Sequence, residues 1–420
     1  MRKIKVVWIC SMSNYVIRER LKFYKWTPMA ILRRLMNRMQ TYDLHIWNSN
    51  GIEIFEKFED IELHIISPHD YLSSIQEFTI NNVHYHFINN IKDSFWDFIN
   101  RSVFKKERTD FSRNAKQINK IVEKIAPDIV HIIGAENPEY SQSAVYIKKD
   151  IPMIVSLQTL LADPIFLKNR PWFKDKEKYR VDIESEVLKR TDYIGTKSKH
   201  FRTIIKENIS PEAKFLDMSL AVGEKARTEP CKKEYDFVYF AKDISKAVDY
   251  AIEAFAIAKE KHPNITLHIV GGYDRAQMEL LRKRMNELGL GNEIDFTGKL
   301  ETHDDVIKEA RRAKYALLPV KADLISGTIR EAMINGLPVV TCITPATPTL
   351  NEKRESVLLS EKGDFGTMAE NMCKLLSCPE LAAKLSKNGI KTIEERYSNE
   401  TFMKEWRDCY YKVLEENNKK

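Results

Sequence analysis

The sequence predicts an α/β protein made of two doubly wound domains followed by carboxyl-terminal helices. Short apolar runs alternate with longer amphipathic runs, which is typical of a parallel sheet covered by helices. The alternation restarts after residues 208–233, a weakly periodic stretch that contains Pro211, Gly223 and Pro230. The strands then cease after Asp364, while helical periodicity continues. A length of 420 residues fits two or three domains of about 150 residues each.

The first half of the chain contains five predicted strands. The run Lys5–Cys10 has no polar alternation, so it is expected to be buried on both faces. Amphipathic runs predict helices at Arg108–Lys124 and Lys176–Arg190. The other strands are predicted at Leu63–Ser67, Asp128–Ile133, Ile151–Leu157 and Tyr193–Thr196.

The second half repeats the alternation and then becomes helical. Its strands are predicted at Phe237–Phe240, Thr266–Val270, Ile294–Phe296, Tyr315–Leu318 and Val339–Cys342. Its helices are predicted at Lys246–Lys261, Asp274–Leu288, His303–Ala313 and Gly327–Asn335, with further helical runs at Met372–Leu376, Leu381–Leu385 and Thr401–Leu414. The predicted domains are 1–218 and 219–396, with a last helix in 397–420 that returns to the first domain.

The composition excludes several classes of protein. With 43% hydrophobic and 30% charged residues, the chain is neither collagen-like nor a low-complexity disordered protein. No run approaches the roughly 18 to 20 apolar residues of a membrane-spanning helix. The apolar run Val6–Cys10 is shorter than the core of about 7 to 15 residues in a signal peptide. Six cysteines without metal-binding spacing indicate free thiols, so we expect a cytoplasmic protein.

The net charge of +7 is concentrated in one segment. Residues 15–40 contain seven Lys and Arg side chains and a single acid, Glu19, which gives that segment +6. Aromatic and aliphatic residues are interleaved with these charges. The segment therefore predicts peripheral binding to an anionic membrane surface, on the inner face of the cell membrane. The alternative is a solvated helix face, and no nucleic acid is expected because the rest of the chain is nearly neutral.

The loops after the second-half strands predict a phosphate site. In open α/β sheets, ligands bind outside the carboxyl ends of the strands. Glycines, lysines and a helix start converge there, as an anionic phosphate group requires. Taken singly, each feature has a simpler reading as a tight turn or a solvent-exposed lysine. The residues are Lys242, Lys246, Gly271, Gly272, Gly298, Lys299, Ser326, Gly327 and Thr328.

Four ordered motifs carry a resemblance to a known family. They are the helix Ala247–Pro263, the sequence LHIVGG at Leu267–Gly272, IDFTGKL at Ile294–Leu300 and IREAMINGLPVVT at Ile329–Thr341. Together they resemble the donor-binding domain of retaining GT-B glycosyltransferases of family 4, glycosyltransferase group 1. The resemblance implies a GT-B fold, in which two Rossmann-like domains face a central cleft.

The resemblance also implies roles for residues of the second domain. Glu331 matches the acid that hydrogen-bonds the ribose of the nucleotide, and Asp323 replaces the usual Glu that faces the donor sugar. Lys242 and Lys246 match the basic pair that neutralises the pyrophosphate. We assign Lys242, Lys246 and Asp323 to catalysis. Because the lysines and the helix start can stabilise the leaving group, no metal and no cofactor are expected.

The first domain resembles the acceptor-binding domain less closely. The sequences PDIVHIIG at Pro127–Gly134 and IPMIVSLQTL at Ile151–Leu160 match its paired strands. Gln158 stands where the family commonly has a histidine, and Ser13 and Asn14 lie where it has a glycine-rich loop. We place Ser13, Asn14 and Gln158 on the acceptor side.

These observations predict a metal-independent glycosyltransferase of the hexosyltransferase type (EC 2.4). It would move a sugar from a nucleotide-sugar, UDP- or GDP-linked, to a glycan or lipid-linked acceptor with retention, in cell-envelope polysaccharide synthesis. One alternative is a catalytically weak GT-B-like protein that binds sugar nucleotides, which the departures at Gln158 and Asp323 would favour. Another is a sugar-nucleotide epimerase of similar two-domain shape.

Overall fold

A computed structural model describes residues 2–23, 43–91, 109–169, 177–221, 229–241, 247–291, 293–321 and 325–418. The chain divides into two compact units, Met1–Ala221 with Asn399–Lys420, and Val222–Ser398. The divisions therefore fall at 221 and 398, where the sequence analysis drew them at 218 and 396. Most of the basic segment lies outside the described residues, so its predicted membrane contact stays a prediction.

The first unit folds around an eight-stranded sheet. Its strands are β1 (Ile4–Ile9), β2 (Ile61–His69), β3 (Gln76–Ile80), β4 (Val83–Asn89), β5 (Ile129–Ile133), β6 (Met153–Ser156), β7 (Tyr193–Gly195) and β8 (Lys214–Leu216). Their order across the sheet is β3-β4-β2-β1-β5-β6-β7-β8. All neighbours are parallel except β3 and β4, which form an antiparallel hairpin. The five strands predicted from the sequence are all present.

Three strands of this sheet were not predicted. The β3–β4 hairpin turns at Asn81 and Asn82, which both adopt positive φ angles of 46° and 66°. Two consecutive Asn residues in left-handed conformations form the type of turn that tight hairpins prefer. The polar residues of β3 and β4 and the three-residue length of β8 obscured the apolar signal on which the strand predictions rested.

Helices connect the parallel strands of the first unit. The helix Ser112–Ile125 illustrates why they form, because Ile118, Ile121 and Val122 recur at helical spacing and are buried. The helices are α1 (Tyr15–Arg20), α2 (Ile46–Phe55), α3 (Ser112–Ile125), α4 (Pro138–Ser141), α5 (Pro164–Asn169), α6 (Lys178–Arg190) and α7 (Lys199–Asn208).

The second unit contains a six-stranded parallel sheet. Its strands are β9 (Tyr235–Phe240), β10 (Leu267–Val270), β11 (Ile294–Phe296), β12 (Ala313–Leu317), β13 (Val339–Cys342) and β14 (Val357–Ser360), in the order β11-β10-β9-β12-β13-β14. The sequence predicted all of these except β14. Its helices are α8 (Val248–Lys261), α9 (Arg275–Glu287), α10 (His303–Arg311), α11 (Gly327–Ile334), α12 (Phe365–Ser377) and α13 (Pro379–Arg396). Both units are thus doubly wound, as the predicted fold class requires.

The last helix, α14 (Asn399–Asn418), belongs to the first unit. Its Tyr410 hydroxyl accepts a hydrogen bond of 2.7 Å from Trp8 Nε1 on β1. The same hydroxyl lies 2.7 Å from His131 Nδ1 on β5. Burial lowers the pKa of His131 to about 3, so its ring is neutral near neutral pH and can accept a hydrogen bond from the tyrosine hydroxyl. One buried hydroxyl therefore connects α14 to two central strands. Within the described ranges, every helix falls short of the length and apolar character that a membrane span requires.

We expect Tyr410→Phe to destabilise the first unit while leaving its fold intact. The substitution leaves Trp8 Nε1 and His131 Nδ1 buried without their partner, and an unsatisfied buried polar group costs about 1–3 kcal/mol. Denaturant unfolding followed by tryptophan fluorescence would measure the loss. Tyr146→Phe, at a partly exposed position, is the matched control. Equal unfolding free energies for both variants and the wild type would contradict this role of Tyr410.

Candidate functional site

Loops from three strands meet at the carboxyl edge of the second sheet. Gly271, after β10, pairs with Gly298, after β11, in an isolated antiparallel bridge. A Cβ atom added to Gly271 would lie 2.3 Å from the backbone oxygen of Ala241, which follows β9. A Cβ atom on Gly272 would lie 2.7 Å from Cβ of Lys299. Glycine is therefore required at both positions for the three loops to approach each other.

The predicted residues Gly271, Gly272, Gly298 and Lys299 thus lie close together. Gly271 N–H donates to the hydroxyl of Thr297 at 3.3 Å, which fixes the loop after β10 against the loop after β11. Burial lowers the pKa of the Lys299 ammonium group below its usual value. The basic side chain of Lys299 therefore lies at the same edge as the glycines, because Lys299 packs against Gly272.

The buried carboxylate of Glu331 lies on α11, at the same edge of the sheet. Glu331 is only 7% exposed, and its Oε1 lies 3.1 Å from Nε2 of His303. His303 is the first residue of α10, which begins where Thr302 accepts a hydrogen bond from the Asp305 N–H at 3.1 Å. The contact joins the start of α10 to the second turn of α11, 28 residues later in the sequence. The sequence analysis identified Glu331 and missed His303.

The beginning of α11 presents small polar side chains. The hydroxyl groups of Ser326 and Thr328 lie 2.9 Å apart, on either side of Gly327. The first N–H groups of a helix have no partner within the helix, so they can donate to an anion. Arg330 is also buried, and burial lowers its pKa to about 10.

The three residues assigned to catalysis, Lys242, Lys246 and Asp323, lie outside the described residues. Ala241 and Ala247 flank the two lysines, and Lys321 and Ile325 flank Asp323. The roles of the three residues stay predictions.

Ser13 and Asn14, both assigned to the acceptor side, have structural partners in the first unit. Asn14 caps α1, since its Oδ1 accepts from the Ile17 N–H at 2.9 Å. Ser13 is buried, and its backbone pairs with that of Leu44. Its hydroxyl accepts from Arg18 Nη1 at 3.2 Å. These contacts hold the turn after β1, and the acceptor-side role of both residues stays a prediction.

Gln158 lies at the carboxyl edge of the first sheet, beside a buried acid. Its side-chain amide donates to the backbone oxygen of Ile133 at 3.1 Å. Gly134, with φ of 92°, follows β5 at this point. A Cβ atom there would lie 2.8 Å from Gln158 Nε2 and from both carboxylate oxygens of Glu136. The structure therefore brings Gln158 and Glu136 together.

Glu136 is a candidate that sequence reasoning missed. It is 7% exposed, and burial raises the pKa of its carboxyl group to about 7 although Arg180 acts against the rise. One oxygen accepts from Asn137 Nδ2 at 3.1 Å. The other, Oε2, has no hydrogen-bond partner among the described residues. A carboxyl group of this kind can exchange a proton near neutral pH. The sequence could have indicated Glu136, because it is an acid two residues after Gly134, the glycine that follows the buried strand β5.

Comparison with known proteins finds a family match in the second unit. Residues 224–392 match the family model described as Glycosyl transferases group 1. The second unit is therefore similar to the group 1 glycosyltransferases over about 40% of the chain. The match includes the glycine loops, α10 and α11, so the edge that holds Glu331 and His303 lies inside the matched residues.

A curated relative of this chain is the exopolysaccharide phosphotransferase SCO2592 of Streptomyces coelicolor. It is 28% identical over 173 residues, which are 40% of this chain and 18% of the relative. The chain therefore matches well under two thirds of the length of that relative.

Solved structures share the fold over nearly the whole chain. A sucrose-phosphate synthase from Thermosynechococcus elongatus has a TM-score of 0.70 at 12% identity, covering 98% of this chain and 99% of that one. An E. coli trehalose-6-phosphate structure bound with UDP-2-fluoro glucose has a TM-score of 0.64 at 11% identity, covering 98% of each chain. At these identities the likeness establishes the GT-B fold alone.

The raised pKa of Glu136 predicts a pH-dependent stability. The unfolded chain ionises this group near its ordinary pKa of about 4.5, whereas the folded unit keeps it protonated up to about pH 7. The contribution of Glu136 to the free energy of unfolding is fully present below about pH 4.5 and is lost as pH rises through 7. Relative to the wild type, Glu136→Gln should therefore gain up to about 3 kcal/mol between pH 4.5 and 8.

Urea unfolding at several pH values would measure this difference. Glu186→Gln, at an exposed position of the same unit, is the control. A difference between Glu136→Gln and the wild type that stays constant with pH would show that Glu136 is ionised in the folded protein throughout.

Proposed function

We propose that the protein transfers a sugar from a nucleotide-sugar donor to a glycan or lipid-linked acceptor, with retention of configuration. The observation that carries the proposal is the buried pair of Glu331 and His303 beside the glycine loops of the second unit. These residues lie within the segment that matches the group 1 glycosyltransferases. The name of the Streptomyces relative supports a place in exopolysaccharide synthesis at the cell envelope.

The second unit is the proposed donor site. The Glu331 carboxylate can accept hydrogen bonds from the ribose hydroxyl groups of the nucleotide, and His303 Nε2 lies 3.1 Å from it. The glycine loops and the start of α11 give the diphosphate close access to backbone N–H groups. A UDP- or GDP-sugar is the expected donor, and UDP-2-fluoro glucose bound to a protein of the same fold supports the first of these.

The proposed chemistry follows from where charge develops. Cleavage of the bond between sugar and diphosphate leaves negative charge on the phosphate oxygens, which Lys242, Lys246 and the N-terminus of α11 would stabilise. Asp323 would contact the donor sugar. We infer that no metal takes part, because these groups supply the positive charge. Transfer should persist in excess EDTA, and a loss that magnesium restores would overturn this inference.

The first unit is the proposed acceptor domain. Gln158 and the unpaired oxygen of Glu136 lie together at the carboxyl edge of its sheet, where acceptor hydroxyl groups can form hydrogen bonds. For a lipid-linked acceptor, the basic segment 15–40 would bring the protein to the inner face of the cell membrane. Flotation with anionic and neutral vesicles would test this contact, and equal flotation with both would refute it.

A second candidate is a catalytically weak protein that binds sugar nucleotides. The side-chain amide of Gln158 donates to the backbone oxygen of Ile133, so this side chain makes a structural contact within the first unit. Incubation of the purified protein with UDP- and GDP-sugars, with and without glycan acceptors, separates the candidates. Glycosylated product supports transfer, binding without turnover supports the weak binder, and interconversion of the donor alone would indicate an epimerase.

We expect Glu331→Gln to weaken nucleotide binding while the second unit stays folded. Charge-assisted hydrogen bonds contribute about 1.5–3 kcal/mol, so Kd for the nucleotide should rise roughly ten- to 150-fold. Calorimetry with UDP and GDP measures the change. Glu370→Gln, on the exposed side of α12, is the matched control and should bind like the wild type. Unchanged affinity for Glu331→Gln would remove this carboxylate from the donor site.

A further inference from the structure

Three histidines lie side by side on one face of the first sheet. His64 on β2 is directly opposite His84 on β4, and His86 follows two residues later on the same face. The rings of His64 and His84 stack with centroids 4.6 Å apart, and those of His64 and His86 with centroids 5.5 Å apart. Val, Ile and aromatic side chains are usual on such a face, so this polar row requires an explanation.

Glu62 adds a carboxylate to this row. It precedes His64 by two residues on β2, so both side chains project from the same face. Its Oε1 lies 3.0 Å from Nε2 of His64. One carboxylate oxygen of Glu62 and one ring nitrogen from each of His64 and His84 all lie within 4.8 Å of one another. Two imidazoles and a carboxylate are a ligand set that divalent transition metals accept.

Outer contacts orient the two imidazole rings. Nδ1 of His84 lies 3.0 Å from the hydroxyl of Thr79 on β3. Nδ1 of His64 lies 3.2 Å from Nε2 of His86, which leaves Nε2 of His64 directed at Glu62. Metal-binding histidines usually have their second ring nitrogen held by a hydrogen bond in this way.

The outer contacts continue to a charged pair at the surface. Nδ1 of His86 lies 3.2 Å from Oε1 of Glu77 on β3. The other oxygen of Glu77 accepts from Lys124 Nζ on α3 at 3.0 Å. A chain of contacts therefore runs from His64 through His86 to a carboxylate. This order resembles the arrangement in which a carboxylate polarises a metal-bound imidazole.

We propose that Glu62, His64 and His84 bind a divalent transition-metal ion of the zinc class. In a tetrahedral site the ligand atoms lie about 2.0–2.1 Å from the metal and hence about 3.3 Å from each other. The three ligand atoms here lie within 4.8 Å of one another, so the most distant two must move closer together when the metal binds. His64 is buried and fixed, whereas Glu62 and His84 are partly exposed and can adjust. His64 and His84 supply one nitrogen each and Glu62 one oxygen, and water completes the coordination.

The metal would join β2 to β4 across the sheet. Glu62 and His84 lie near the amino ends of their strands, while the proposed acceptor residues follow the carboxyl ends. The site is therefore separate from the proposed acceptor residues, and the inference does not depend on the proposed transfer reaction. Binding to the folded state alone would raise stability with metal concentration.

Titration of the full, chelator-treated chain with Zn²⁺ tests the proposal. Calorimetry should show one ion per chain with micromolar or tighter affinity, and thermal unfolding should shift upward with Zn²⁺. Glu62→Gln and His84→Asn should each weaken binding at least about tenfold, since even loss of an outer partner costs about 10- to 100-fold. His262→Asn, at a partly exposed position of the second unit, is the matched control and should bind like the wild type.

A spectroscopic readout separates this site from the cysteines. Co²⁺ bound by nitrogen and oxygen should give visible bands without thiolate charge transfer, and these bands should disappear in both variants. The absence of any binding would overturn the proposal. Equal affinity in the wild type, Glu62→Gln and His84→Asn would overturn it too, as would a thiolate spectrum.

Discussion

The donor-binding account depends on the contact between Glu331 and His303. A carboxylate that is 7% exposed loses most of its hydration, and such a group is costly unless it has a polar partner. Nε2 of His303 lies 3.1 Å from that carboxylate, which is ion-pair distance, although the two atoms lack hydrogen-bond geometry. Because His303 begins α10 and Glu331 lies in the second turn of α11, the contact links these two helices at the same sheet edge.

The glycines at this edge are required by the packing of the loops around them. The sequence analysis assigned Gly271 and Gly272 to the close approach of a phosphate. The structure shows that a side chain at Gly271 would collide with the Ala241 backbone, and one at Gly272 with Lys299. The same glycines are therefore needed to bring three loops together before any ligand is considered. Diphosphate binding would use a surface that loop packing has already formed.

The sequence predicted elements with strong apolar runs, and it missed those whose signal is polar or short. The strands of the second unit were recognised because Phe237–Phe240 and Leu267–Val270 are continuous apolar segments. The β3–β4 hairpin was missed because His84, His86 and Thr79 fill positions where apolar residues were expected. Glu331 was found through a contiguous motif. His303 and Glu136 were not found, since their importance arises from burial and from contacts with residues 22 or more positions away.

The central claim is that the second unit binds the nucleotide of a sugar donor at the edge formed by its glycine loops and α11. Hydrogen–deuterium exchange of the full chain, with and without UDP or GDP, tests this most directly. The account predicts slower exchange for at least one nucleotide in peptides covering 271–273, 297–303 and 326–332, with little change on the eight-stranded sheet. Unchanged exchange in these peptides at saturating concentrations of both nucleotides, or protection confined to the first unit, would contradict it.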